Sequence, residues 1–300
     1  MSVELALNAT AQWLNDHAVA VVLALAALTL LAEGVFHTSV TRRDATHQWM
    51  HTWLVNIGLL GSALLVSWSL APWLSPAYTA AMSNESGLLN LVGVPALSYP
   101  LHVLAGVLLL DLLAYGIHRA LHAVPLFWRF HQVHHSDEHM NASTHFRQHP
   151  VQMLAVSLAQ LPALWMLGIP AVSWVFYFVI GAAVQLWQHS TFATSASFER
   201  VERVIRRLIV TPAMHRVHHD AREQFHNANY AAVFPLWDRL FRSYRSSLRD
   251  SRFGLPLPWN TGDECGRTLL DCLMRPFRAS KAPALAPNKS RFQTRPQGKS

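Results

Sequence analysis

Residues 151–186 read VQMLAVSLAQLPALWMLGIPAVSWVFYFVIGAAVQL and contain no charged side chain. This stretch is about twice as long as the roughly 20 residues that one helix needs to cross a bilayer. Gly168-Ile169-Pro170 interrupts it near the middle, and a glycine followed closely by proline is a strong signal for a turn. We therefore predict a hairpin of two membrane helices that enters and leaves the bilayer on the same side.

The rest of the chain also has the composition of a membrane protein. Its 300 residues are 51% hydrophobic and only 14% charged, whereas soluble domains carry about 25% charged residues. Apolar runs at residues 18–36, 53–74 and 99–117 predict three further spans. The predicted fold class is therefore an all-α integral membrane protein, with a four-helix transmembrane bundle built from the three spans and the hairpin.

The distribution of basic residues predicts the orientation. Arg42 and Arg43 lie between the first two spans, whereas neither the N-terminus nor residues 71–100 contain Lys or Arg. The positive-inside rule then leaves those two regions outside, in a multi-pass protein of the inner membrane. The predicted domains are a periplasmic N-terminus (1–17), spans one to three (18–117), a cytoplasmic histidine-rich region (118–150), the hairpin (151–187), a cytoplasmic helical cap (188–278) and a basic disordered tail (279–300).

Within the cap, residues 198–210 have amphipathic spacing. Val201, Val204 and Leu208 recur at helical intervals, and arginines occupy the other face. This pattern is typical of a helix that lies on the membrane surface. A basic helix packed on soluble structure remains the alternative.

Histidines are abundant, with 18 in the chain, and most of the closely spaced ones fall into three clusters. The clusters are HxxxH at His118 and His122, HxxHH at His131, His134 and His135, and HxxHH again at His215, His218 and His219. Residues at i, i+3 and i+4 share one face of a helix, so each cluster can direct its imidazoles at one centre. Imidazole is a common ligand of iron, zinc and copper. Eight imidazoles exceed the needs of one ion, which predicts a site for two metal ions, held by the cytoplasmic cap.

Further polar residues could contribute to this site. We expect His189, at the cytoplasmic end of the hairpin, to be a ninth ligand. Asp111 lies seven residues before His118 on the same helical face, where it could hold a ligand imidazole in its tautomer; a hydrogen bond between helices is the alternative. Three residues are candidates for an extra ligand or for orienting a ligand: His149, Gln185 and Asn229. The remaining histidines of this region are interpreted as loop residues: His139, His145 and His226.

These motifs resemble the fatty acid hydroxylase family, also called the sterol desaturase superfamily, over residues 111–244. The resemblance rests on DLLAYGIHRALH (111–122), HQVHHS (131–136), RQHP (147–150), QHS (188–190), TPAMHRVHH (211–219), NY (229–230) and LWDRLF (236–241). The chain departs from the family pattern at Gln185, where some members carry a histidine, and at Ala231 and Arg242, which are commonly glycine.

The resemblance implies a di-iron centre that uses O₂ and external electrons to oxidise a C–H bond of a lipid in the bilayer. Zinc can replace the two iron ions during purification, since it binds such sites more tightly than Fe(II). Hydroxylation and desaturation both remain open. The sequence has no CxxCH haem motif, ferredoxin cysteine run or GxGxxG loop, so we expect a separate electron donor protein, and no nucleic-acid partner. The nine implied metal ligands are His118, His122, His131, His134, His135, His189, His215, His218 and His219.

Three other functions fit the sequence less well. A metal transporter would place histidines within the spans, whereas these lie at span ends and in the predicted cytoplasmic segments. A membrane zinc hydrolase would require fewer ligands and an acid–base glutamate, as in HExxH, and the sequence has no such motif. A non-catalytic metal or oxygen sensor would not need three complete clusters.

Overall fold

The computed structural model describes residues 2–40, 43–91, 99–191, 196–246, 253–255 and 268–278. Within these ranges every regular element is a helix, which confirms the all-helical fold class. The long helices are α1 (Val3–Val40), α2 (Arg43–Met82), α4 (Tyr99–Ala123), α6 (Pro150–Leu167) and α7 (Ala171–His189). The shorter ones are α3 (Leu88–Leu91), α5 (Pro125–His135), α8 (Ala196–Ile205), α9 (Pro212–His218), α10 (Glu223–His226), α11 (Leu236–Leu240) and α12 (Leu269–Met274), with 3₁₀ turns at Ala142–Phe146 and Arg275–Phe277.

Four of the described helices are long and apolar enough to cross a membrane: most of α2, and the whole of α4, α6 and α7. Helix α1 is bent by 67° between Ala18 and Ala20, and it adds a fifth candidate if its two arms are counted as one span. The sequence predicted a span over residues 18–36 here. The structure instead continues the helix on both sides of that segment.

Helix α2 is longer than the predicted second span, residues 53–74. It continues through Pro72 and Pro76 to Met82, so much of the expected loop after residue 71 is helical. A proline removes one helical hydrogen bond and commonly ends a helix in water. In a bilayer no water can replace the helical hydrogen bonds, so ending the helix would leave further backbone groups unpaired. A membrane helix therefore continues past proline more readily than a helix in water. Trp68 and Trp73 are 79% and 70% exposed on this segment, as suits contact with lipid.

The hairpin turns at the Gly-Ile-Pro sequence. Gly168 ends α6 with a φ of 64°, a left-handed conformation that glycine adopts without a steric penalty, and its N–H donates to Leu164 O. Pro170 precedes the first turn of α7. Helix α6 packs against α2, and α7 packs between α1 and α4. Both outer ends of the hairpin, at His149 and His189, therefore lie at the same end of the bundle.

Glu33 is a buried carboxylate in α1, within a run of residues that is otherwise apolar. Its side chain is 0% exposed. One oxygen accepts a hydrogen bond from the Thr191 N–H at 2.7 Å, and both oxygens lie 3.2 Å from the Ala142 N–H. Glu33 therefore fastens α1 to the chain just after α7 and to the 3₁₀ turn that follows α5.

Candidate metal centre

The structure brings all nine expected ligand histidines together at one end of the bundle, in two groups. The five-histidine group contains His118, His122, His131, His135 and His218. The four-histidine group contains His134, His189, His215 and His219. Within each group the ring nitrogens that could bind an ion lie within 4.8 Å of one another. The groups adjoin, since the rings of His135 and His219 stack with centroids 4.4 Å apart.

Helical spacing explains how three clusters become two groups. The end of α4 presents His118 and His122 one turn apart on the same face. Helices α5 and α9 each lie between the groups and supply ligands to both, whereas α7 supplies only His189. Proline begins both α5 and α9, where its missing N–H costs no helical hydrogen bond. The Thr211 hydroxyl also caps α9 by accepting from the Met214 N–H.

The buried imidazoles are held in the neutral form that a metal ion requires. Burial first, and neighbouring imidazoles second in most cases, lower the pKa of the ligand histidines outside the candidate spans well below the usual 6.5. These are His131, His134, His135, His215, His218 and His219. Metal binding at neutral pH would therefore displace few protons from them.

Hydrogen bonds on the outer ring nitrogens set the tautomer of several imidazoles. His118 Nδ1 lies 2.7 Å from Tyr230 O, and His218 Nδ1 lies 2.8 Å from Ala228 O. A carbonyl only accepts, so each Nδ1 carries the proton and each Nε2 is left as an acceptor. These Nε2 atoms are buried and have no hydrogen-bond partner within the described chain. An unpaired buried nitrogen is costly, so a metal ion fits this donor set.

The four-histidine group also fits an ion, because its Nε2 atoms converge. His215 Nε2 lies 2.9 Å from that of His189 and 3.0 Å from that of His219. His134 Nε2 completes the set, 3.4 Å from His189 Nε2. Each hydrogen bond between two of these nitrogens needs a proton on one and a lone pair on the other, so such bonds cannot join every close pair, whereas one cation can bind all four.

The hydrogen bonds of Asp111 fit the alternative interpretation, a polar contact between helices, because none of them reaches an imidazole among the described residues. Its carboxylate accepts hydrogen bonds from the backbone N–H of Val233 and Phe234, the Trp237 indole and the Tyr177 hydroxyl, at 2.9–3.1 Å. Asp111 therefore ties α4 to the cap segment before α11 and to α7. Backbone carbonyls and glutamine side chains take the orienting role instead.

The other candidates support the centre from further away. His149 uses both ring nitrogens elsewhere: Nδ1 accepts from the Val151 N–H at the start of α6, and Nε2 donates to Leu273 O. Gln185 accepts the His189 Nδ1–H through its backbone oxygen at 2.6 Å. Asn229, at a φ of 53°, donates to Met214 O and so supports the backbone of α9. These hydrogen bonds fit the supporting role that the sequence analysis offered for His149 and Asn229 as the alternative to metal binding.

Two histidines interpreted as loop residues lie beside the groups instead. His226 is 1% exposed, with its ring centroid 4.9 Å from that of His135. The centroid of His145 lies 6.1 Å from that of His189. His226 belongs to no HxxxH or HxxHH motif. His145 forms an HxxxH pair only with His149, whose ring nitrogens bond elsewhere, so spacing did not single out either residue. His139 is exposed, as expected of a loop residue.

Comparison with known proteins identifies the domain. Residues 103–243 match the sequence model of the family described as Fatty acid hydroxylase. The chain is 30% identical to alkylglycerol monooxygenase of Homo sapiens over 147 residues, 49% of this chain and 31% of that one. It is 27% identical to an ornithine lipid hydroxylase of Rhizobium tropici (53% and 50%) and 30% identical to lathosterol oxidase of Mus musculus (45% and 42%).

The chain thus spans about a third to a half of the length of these curated relatives. No solved structure matches it. All nine grouped histidines fall inside the matched residues 103–243. Residues 103–243 are therefore identified as a fatty acid hydroxylase domain.

Proposed function

We propose that this protein is a membrane-bound di-iron oxygenase that hydroxylates or desaturates a lipid, using O₂ and electrons from a separate carrier. The observation that carries the proposal is the pair of adjoining imidazole groups, buried except for the partly buried His118, inside a fatty acid hydroxylase domain. The three relatives described above are named as lipid hydroxylating or oxidising enzymes, which supports the same reaction class.

The five-histidine group would hold one iron ion and the four-histidine group the other. Bound there, the metals would supply the activation of O₂ and the oxidising power needed to break an unactivated C–H bond. The chain's own residues keep the imidazoles neutral, fix their rings through carbonyls such as Tyr230 O, and exclude water by burial.

The substrate would reach the site from the bilayer. The cap helices expose apolar side chains: Val204 is 64% exposed, Leu208 73%, Leu236 49% and Leu240 62%. Arg239 donates to the Arg206 and Arg207 carbonyls, so the end of α8 and helix α11 are adjacent. This apolar surface with arginines around it supports a cap that rests on the membrane interface, close to the acyl chains of a lipid substrate.

The proposed location is the inner membrane, with the histidine groups and the C-terminus in the cytoplasm. Reporter tags near Asn141 and at the C-terminus should therefore both report cytoplasmic, and a tag near Asn84 should report the opposite side. Tags near Asn141 and the C-terminus on opposite faces would contradict this topology.

The reaction is tested by lipid mass spectrometry of cells that express the wild-type protein or His134→Ala. We expect a hydroxylated or desaturated lipid only with the wild-type protein, and O₂ consumption by the purified, reduced wild-type protein. A protein that binds iron but leaves the lipids unchanged and consumes no O₂ would instead be a metal or oxygen sensor.

A further inference from the structure

Two imidazoles of the five-histidine group lack the outer support that the other three have. His118 and His218 donate to backbone carbonyls, and His131 Nδ1 lies 3.1 Å from the Gln152 side-chain oxygen. Neither ring nitrogen of His122 or His135 has a hydrogen-bond partner among the described residues. A metal ion would bind one nitrogen of each ring and leave the other, with its proton, unsupported.

His226 lies against these two rings. Its ring centroid is 5.0 Å from that of His122 and 4.9 Å from that of His135, and it meets the Trp128 ring edge-on at 4.6 Å. Its side chain is 1% exposed, and within the described chain neither of its ring nitrogens has a hydrogen-bond partner. The residue lies outside the set of five mutually close ligand nitrogens, which distinguishes it from a ligand.

We propose that His226 is a positioning residue of the metal centre, which fixes the ring orientation of His122 and His135. The proposal rests on the proposed di-iron function. A neutral imidazole has one acceptor and one donor nitrogen, so His226 can accept from the outer N–H of one ligand. Its ring packs against the other ligand and limits the rotation of that imidazole.

The simplest alternative is that His226 only packs against Trp128. Two substitutions separate the roles: His226→Phe keeps a ring but removes both nitrogens, and His226→Gln keeps a donor and an acceptor but removes the ring. His139 is an exposed histidine, so His139→Phe and His139→Gln are matched controls.

The experiment loads each purified protein anaerobically with Fe(II), then measures iron loss to a chelator and the ⁵⁷Fe Mössbauer spectrum. Loss of a group that supports a metal ligand typically lowers metal affinity by about 10- to 100-fold. We expect that loss for His226→Phe, at one of the two iron sites, with a changed spectral component for that site alone. His226→Gln should retain most of the iron, and both His139 variants should match the wild type.

Equal iron retention and identical spectra for wild type and His226→Phe would overturn the positioning role. So would a loss in His226→Gln at least as large as that in His226→Phe, because a retained donor and acceptor would then bring no benefit. If His226→Phe is not recovered as a monodisperse protein, His226→Leu replaces it in the same comparison. A wild-type protein that binds no iron would instead overturn the proposed function itself.

Discussion

The two histidine groups differ in what supports them. In the five-histidine group, the loop before Tyr230 provides carbonyls for two outer ring nitrogens. In the four-histidine group, His189 donates to a carbonyl of its own helix, and the chain just after it is fastened by Glu33 and by Arg216, which donates to Ser190 O at 3.1 Å. The larger group therefore depends on the cap, and the smaller one on contacts with the N-terminal helix and α9.

This difference predicts that each group can be disabled separately. His218→Ala should remove the ion of the five-histidine group and His134→Ala that of the four-histidine group, each reducing iron from about two to about one per chain and lipid oxidation to background. Membrane insertion should persist, since the apolar helices direct it. Full activity in either variant, measured by lipid mass spectrometry, would contradict the assignment of that ligand.

Glu33→Ala should weaken the four-histidine group selectively. The substitution removes the acceptor of the buried Ala142 N–H, and leaving such a donor unsatisfied costs about 1–3 kcal/mol. We expect a lower melting temperature in detergent and faster chelation of one iron ion per chain. Glu33→Gln keeps one acceptor oxygen, so its melting temperature and its rate of iron loss should lie between those of the wild type and of Glu33→Ala. Unchanged iron retention in Glu33→Ala would show that α1 does not support this group.

Asp111→Asn tests the cap's attachment to α4. The asparagine amide places an NH₂ against N–H groups that donate to the carboxylate in the wild type, such as the Trp237 indole. We therefore expect the folded protein to be destabilised by about 1–3 kcal/mol. The Mössbauer spectrum of the iron that remains should be unchanged, because the four hydrogen bonds of the Asp111 carboxylate go to Tyr177, Trp237 and the cap backbone and not to an imidazole. An altered Mössbauer spectrum at an unchanged melting temperature would instead indicate that Asp111 orients a ligand imidazole, as its position in the sequence suggested.

The sequence was most informative where function depends on local spacing. Eight of the nine grouped histidines were predictable because i, i+3 and i+4 positions share a helical face whatever the rest of the fold does, and His189 was predictable from its place at the end of the hairpin. The partners of Asp111 were not, because Val233 lies 122 residues away. The same holds for Glu33, whose partners Ala142 and Thr191 lie 109 and 158 residues away. Such long-range contacts follow from packing and leave no periodic pattern in the chain.

Gln185→His, which adds an imidazole beside the four-histidine group, is expected to have the smallest effect of these substitutions. Gln185 lies four residues before His189 on α7, so its side chain shares that helical face. A tenth imidazole there should slow the release of iron from the four-histidine group. The change should be smaller than the about 10- to 100-fold drop in metal affinity that follows removal of a supporting group. Gln185→Ala controls for loss of the glutamine. Faster iron loss in Gln185→His than in Gln185→Ala would mean that the added ring distorts the group.

The most direct test of the central claim is the iron content of the wild-type protein, purified and loaded anaerobically with Fe(II). Elemental analysis against quantitative amino-acid analysis gives the ratio of iron to chain. The two adjoining groups of five and four imidazoles predict a ratio close to two. A ratio close to one, with all nine histidines intact, would contradict a dinuclear centre.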